Sequence, residues 1–194
     1  INLAGNKNIL LTFDYEIFQG WKSGTVSSCI IKPTSRLLNI LDQYGAKAIF
    51  FVDMLYVYRL SEIADSYPMV RADFDLIKRQ IVEIANRGHY VYNHLHPHWL
   101  DAQYIPEENQ WSLSNTSKYS LLTLSENERD FVFEKTMTLL KNCLSQARHY
   151  AEPIGFRAGG LYIQPFSIFK PYFKKYNIKY DFSVLMGVRG QLND

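Results

Sequence analysis

Two short apolar runs, each closed by a carboxylate, constrain the fold of this chain most: NILLTFD at 8–14 and KAIFFVD at 47–53. Continuous apolar runs of this length suit strands buried on both faces, as in a parallel sheet. Between them PTSRLLNILDQYG (33–45) sets Leu37, Leu38, Ile40 and Leu41 at helical spacing, with Pro33 at the entry and Gly45 at the exit. The unit is strand, helix, strand, and it recurs. FDLIKRQIVEIANRG (74–88) predicts a helix closed by Gly88, followed by the strand HYVYNH. SENERDFVFEKTMTLLKNCLSQARHY (125–150) opens with Ser125 and Glu128 at capping-box spacing and predicts one long helix. PIGFRAG (153–159) and IKYDFSVL (178–185) complete the strands, with a helix over FSIFKPYFKKYN (166–177) between them despite Pro171. Such alternation predicts an α/β fold with a parallel sheet and crossover helices, open or closed into a barrel. In either form ligands collect at the carboxyl ends of the strands. Residues 99–124 carry little periodicity, and an irregular stretch of that length in a compact domain points to function or mobility.

The 194 residues, 47% hydrophobic and 21% charged, match one ordinary globular domain. A formal charge of +2 without a long Lys/Arg cluster gives no footprint for a nucleic-acid partner. No apolar run approaches the roughly 20 residues of a membrane span, and no signal-peptide pattern opens the chain, so a cytoplasmic location is expected rather than export. Cys29 and Cys143 match no CxxC spacing, which argues against a redox motif or thiolate metal site; reduced thiols are expected. The chain begins at Ile1 without a methionine, as a processed or trimmed product would.

Two groups of residues offer chemistry. In FDYEIF, Asp14 and Glu16 share one face if the strand continues, with Tyr15 opposite; a solvated strand end is the plain alternative. GHYVYNHLHPHW (88–99) holds four of the five histidines. Pro97 disfavours helix at His96 but tolerates one beginning at the proline itself. If 94–98 stay extended, His94, His96 and His98 share a face; if the chain turns at Pro97, His94 and His98 can converge while His96 points elsewhere. His89 begins the strand, too far back at roughly 3.3 Å per residue to join them, and is read as structural. Two histidines and one carboxylate would make a metal site with positions open for water and substrate, and the second carboxylate could take a proton from that water.

The order TFDYE, GHYVYNHLHPH, GFRAGG, YDFS, spanning about residues 8 to 185, is similar to that of the NodB-homology polysaccharide deacetylases, carbohydrate esterase family four. The HLHPHW form resembles a branch associated with bacterial surface-polysaccharide synthesis. The resemblance implies a distorted (β/α) barrel and a metal-dependent hydrolase that removes N-acetyl groups from an amino sugar of a bacterial polysaccharide or its precursor. The implied cofactor is a divalent ion, zinc foremost, with cobalt, nickel or manganese as alternatives. Carried over residue by residue, it makes Asp14 the catalytic base and Glu16 the metal-binding acid, since Tyr15 stands where the family often has a second Asp. His94 and His98 become the other ligands, because position 96 is usually not a ligand in that motif; His96 is left as an alternate ligand or supporting residue. Arg157 would hold the base by an ion pair, a backbone N–H near Gly160 or Leu161 would serve an oxyanion, and Asp181 would support the site from behind, with an exposed strand-end acid as the equal alternative. Trp99, Tyr104, Trp111 and Tyr119 are candidates to line a sugar groove, with packing under a long loop as the alternative.

One departure stands out. The family's late histidine, its general acid, has no counterpart, since no histidine follows His149. The chain is therefore expected to be a single catalytic domain over 1–194 lacking its natural C-terminal part, or one whose acid is replaced. Two other readings stay open: a carbohydrate-binding or structural member without activity, and an amidohydrolase acting on a small cyclic amide.

Overall fold

Leu11–Tyr15 (β1), Ala48–Asp53 (β2), Tyr90–Leu95 (β3), Gly155–Ala158 (β6) and Tyr180–Asp181 (β7) form one parallel sheet in that order. Between β3 and β6 a two-stranded antiparallel ladder pairs Gln103–Ile105 (β4) with Gln110–Ser112 (β5). The α-helices among the described residues are Lys32–Gln43 (α1), Met54–Ile63 (α2), Pro68–Asn86 (α3), Glu126–Leu144 (α4) and Lys170–Lys175 (α5). These elements come from a computed structural model, which describes residues 9–17, 21–115 and 117–184.

A parallel sheet built in sequential order with right-handed crossovers carries its helices on one face. The packing follows that rule. Phe50, Val52, Val91, Leu95, Phe156 and Ala158 join α-helical residues such as Leu38, Ile77, Phe133 and Leu140 in the main core. Ile49, Phe51 and Tyr92, one position out of phase, form a small second cluster with Ile154 and Phe182 on the other face. Every residue of β2 is buried, which explains why its sequence is an unbroken apolar run. The expected parallel α/β architecture with crossover helices is therefore present. Among the described residues β1 and β7 each pair with one neighbour only, so the described strands form an open sheet.

Local differences from the sequence reading have physical causes. Helix α2 follows directly on β2, and five of its residues (Met54, Leu55, Tyr56, Val57 and Leu60) are buried; with little polar face, it gives no helical period to detect. Helix α4 has the expected capping box at Ser125 and Glu128 but stops at Leu144, six residues before Tyr150. The helix expected over 166–177 is a 3-10 turn, Phe166–Ile168, followed by α5 with Pro171 in its first turn, where a missing N–H costs nothing. The last strand is only Tyr180–Asp181, and residue 185 of the expected span lies outside the described residues. The aperiodic stretch contains the β4–β5 ladder and a 3-10 turn at Leu121–Thr123.

On the sheet face opposite the main core Gly155 lies against the ring of Tyr92, where any Cβ would overlap ring carbons. Gly155→Ala is expected to lower stability by about 1–3 kcal/mol through this overpacking, read as a shift in the urea midpoint. An unchanged midpoint would show that the ring can step aside.

Candidate metal centre

Alternation along four parallel strands assembles the site. Thr12 and Asp14 project from β1 on the face opposite Phe13 and Tyr15, and Glu16 follows one step beyond the strand end. The parallel register sets Asp14 beside Phe51, Asp53 beside His94, and His94 beside Arg157. The chain stays extended past the end of β3, since His96 has φ −107° and ψ 100°, so His94 and His96 share that face. Glu16 Oε2 lies 3.2 Å from His94 Nε2 and 2.8 Å from His96 Nε2. Ligand atoms of these three residues all lie within 4.8 Å of one another.

The hydrogen bonding of His94 tests whether this cluster suits a cation. Its Nδ1 lies 2.8 Å from the backbone oxygen of Arg157, and a carbonyl only accepts, so Nδ1 carries the hydrogen. In the neutral imidazole Nε2 then turns a lone pair toward the Glu16 carboxylate. Two acceptors in contact need a positive charge between them, either a proton or a metal ion. Burial alone would raise the Glu16 carboxyl, but hydrogen bonds from His94 and His96 outweigh it and hold the group far below the usual carboxylate range. Burial pulls His94 down, yet its bond to Glu16 and the nearby Asp53 and Asp14 carboxylates leave it raised. The anchoring of Nδ1 on a backbone carbonyl is the support that metal-bound imidazoles commonly have. Two imidazole nitrogens and one carboxylate suit a divalent ion with positions left open.

His96 owes its place to Gly159. A Cβ at 159 would stand 2.7 Å from His96 Nδ1 and 2.6 Å from the Leu95 oxygen, so the imidazole occupies space that only glycine leaves. Beside the cluster, Arg157 Nη1 donates to Asp14 Oδ1 at 2.6 Å and Nη2 donates to Thr12 Oγ1 at 3.0 Å. The guanidinium lies 4.1 Å from the centre of the Phe51 ring, a cation–π contact that fixes its plane. Asp14, Glu16, His94, His96 and Arg157 line an open pocket of about 300 Å³ together with Gly160 and Leu161.

The structure thus places Asp14, Glu16, His94 and Arg157 around one pocket, and it brings His96 rather than His98 to Glu16. Neither proposed geometry of the histidine run holds in full: it is extended through His96 and turns at Pro97 into a 3-10 helix, Pro97–Leu100. That turn takes His98 out of alternation. His98 is buried with Nε2 unpartnered, and burial, aided by His96 beside it, pushes its imidazole down to about 4. Trp99 and Trp111 are wholly buried and pack with Tyr56, and Tyr104 lies against Tyr67 and Trp111, so these three take the packing role instead of lining a groove. Tyr119 is half exposed and lies near Gly160, with Tyr162 as its ring neighbour. Asp181 pairs with Phe156 on the helix-side phase and accepts the Ser183 N–H at 3.0 Å, a local role away from the ligand cluster. His89 is buried and accepts the Ala48 N–H at 3.2 Å. His149 follows α4 on the way into β6, at the end of the sheet remote from the site.

Sequence reasoning missed Asp53. It is 1% exposed, and burial raises its carboxyl against the opposing pull of His96 and His94. The available signal was that the second apolar run ends in an acid just as the first does.

No family model matches this chain, and no curated protein matches it. Among solved structures it aligns over 89% of its length with a peptidoglycan N-acetylglucosamine deacetylase in complex with a naphthalenyl N-oxidanyl-benzamide, at 20% identity and a TM-score of 0.47. It aligns over 89% with a protein from Mycobacterium smegmatis described as a polysaccharide deacetylase, at 17% identity and a TM-score of 0.46. The chain spans about half of each, 54% and 49%. A likeness that loose assigns neither activity nor ligands.

Two outcomes are expected at this site. His96→Ala should abolish tight binding of a divalent ion while His98→Ala keeps it, measured as metal content after dialysis; the reverse pattern would restore the His94/His98 pair. Gly159→Ala should weaken binding at least tenfold by displacing the His96 ring, measured by competition with a chromophoric chelator, and an unchanged affinity would remove Gly159 from the account.

Proposed function

We propose that this chain is a metal-dependent hydrolase that removes N-acetyl groups from an amino sugar of a bacterial polysaccharide or its precursor. The observation that carries the reading is the convergence of Glu16, His94 and His96 beside an oriented Asp14 at the carboxyl ends of parallel strands. The geometry supports the reaction type; the saccharide substrate comes from the order of the sequence motifs. Zinc is the ion that best suits this donor set, with cobalt, nickel and manganese as alternatives.

Glu16 Oε2, His94 Nε2 and His96 Nε2 are the atoms that would hold the ion. When bound, such an ion supplies a Lewis acid for the acetamide carbonyl and makes water a better nucleophile near neutral pH. The remaining steps belong to the chain. Asp14, held by Arg157 Nη1, takes the proton of the attacking water, and the fixed guanidinium keeps the carboxylate aimed into the pocket. Gly160 and Leu161 line the same pocket in left-handed conformations, φ 62° and 63°, and Leu161 is the strained one because it carries a Cβ. Their backbone N–H groups are the proposed donors to the oxygen that gains charge as the carbonyl becomes tetrahedral. Collapse of that intermediate breaks the C–N bond and needs a proton on the leaving amine. Among the described residues Asp14, having gained the water proton, is the group best placed to return it, since His149 is remote.

The test is acetate release from N-acetylated oligosaccharides by metal-loaded protein, with and without chelator. Asp14→Asn is expected to lower turnover by roughly 10²–10⁴-fold with metal content unchanged. Stoichiometric metal uptake with no acetate release from any N-acetylated saccharide would contradict the deacetylase reading and favour a binding module.

A further inference from the structure

We propose that Asp53 is a positioning residue for the metal centre: its carboxylate clamps the chain from His96 to Trp99 and so selects which histidine of the HLHPH run faces Glu16. This rests on the reading of Glu16, His94 and His96 as a metal site.

A fully buried carboxylate is costly unless its oxygens find donors, so where Asp53 directs them is informative. Asp53 stands at the N-cap position of α2, where an aspartate ordinarily accepts the N–H groups of its own helix, yet its side chain makes no cap hydrogen bond. Both oxygens point across to the segment after β3 instead. Oδ2 accepts the Trp99 indole N–H at 2.6 Å, a short, charge-assisted bond, and Oδ1 meets the His96 backbone N–H at 3.5 Å.

Neither end of this clamp is free to drift. Trp99 is 0% exposed, its ring centre 4.6 Å from that of Tyr56 and 6.0 Å from that of Trp111. Asp53 is fixed by its register with His94 across β2 and β3. The Trp99 indole and the His96 amide thus face one carboxylate, the first through a short bond and the second at the outer limit of hydrogen-bond length. The chain remains extended at 96 and makes its 3-10 turn only from Pro97, which sends the His98 ring out of the site. His94 has its own anchor on the Arg157 carbonyl, whereas His96 Nδ1 is buried without any partner. Beyond the Nε2 contact with Glu16 and the space left by Gly159, His96 is placed by its backbone, whose N–H faces Asp53.

Two substitutions cut the clamp differently. Asp53→Asn keeps an oxygen for the indole but sets an NH2 donor against the His96 N–H. Trp99→Phe keeps a ring in the core and removes the donor. Cobalt(II) is the probe, with affinity read by chelator competition and ligand geometry by the visible absorption spectrum. Each variant is expected to bind cobalt about 10–100-fold more weakly than the parent with a changed spectrum, and the double variant to be less impaired than the product of the two. A merely structural role would lower the melting temperature of the metal-free protein while leaving the affinity and spectrum of the folded protein unchanged, and that result overturns the proposal. If Asp53→Asn fails to fold, Trp99→Phe decides by the same criteria. A parent protein that takes up no cobalt overturns the metal-site reading itself, and the inference with it; a parent that binds while both variants match it overturns only the role of Asp53.

Discussion

The period-two alternation of strand side chains, held in parallel register over four strands, is the constraint on which the site depends. One phase of that alternation builds the core with the helices; the other carries Asp14, Phe51, Asp53, His94 and Arg157 in adjoining rows. A slip of one residue in any pairing would turn its polar groups into the apolar core and bring apolar side chains to the site. The wide apolar contact on the helix side, where β2 contributes Phe50 and Val52, thus secures the placement of charges on the opposite side.

Arg157 joins the two halves of the site, with its guanidinium on Asp14 and its carbonyl on His94. Asp14 is about one-third exposed, and a partly exposed ion pair of this kind contributes roughly 0–1 kcal/mol to stability. Orientation is the better account of its presence. The cluster of Glu16, His94 and His96 carries the opposite tension: a carboxylate and two imidazoles gathered in a largely buried place, where a shared cation offsets the cost of bringing them together.

Much of this was legible from local pattern. The apolar runs marked β1 and β2, the capping box marked the start of α4, and acids at strand ends marked Asp14 and Glu16. The choice between His96 and His98 was not legible, because Pro97 permits a turn without saying at which residue it begins; that depends on Trp99 being held by Asp53, 46 residues away in the chain. Asp53 ends an apolar run just as Asp14 does, but its role was not legible, since nothing near it in sequence supplies its donors. Trp99 and Trp111 showed only aromatic character, and their burial under one another and Tyr56 is a tertiary fact. Helix α2 was hidden by its burial, which removed the polar face that would have shown its period.

The most direct test of the central claim is a crystal structure of the zinc-loaded protein with anomalous scattering measured at the zinc edge. The account predicts one strong peak within roughly 2.0–2.2 Å of Glu16 Oε2, His94 Nε2 and His96 Nε2, with His98 unbound. A peak ligated by His98 in place of His96, or no peak among these side chains, would contradict it.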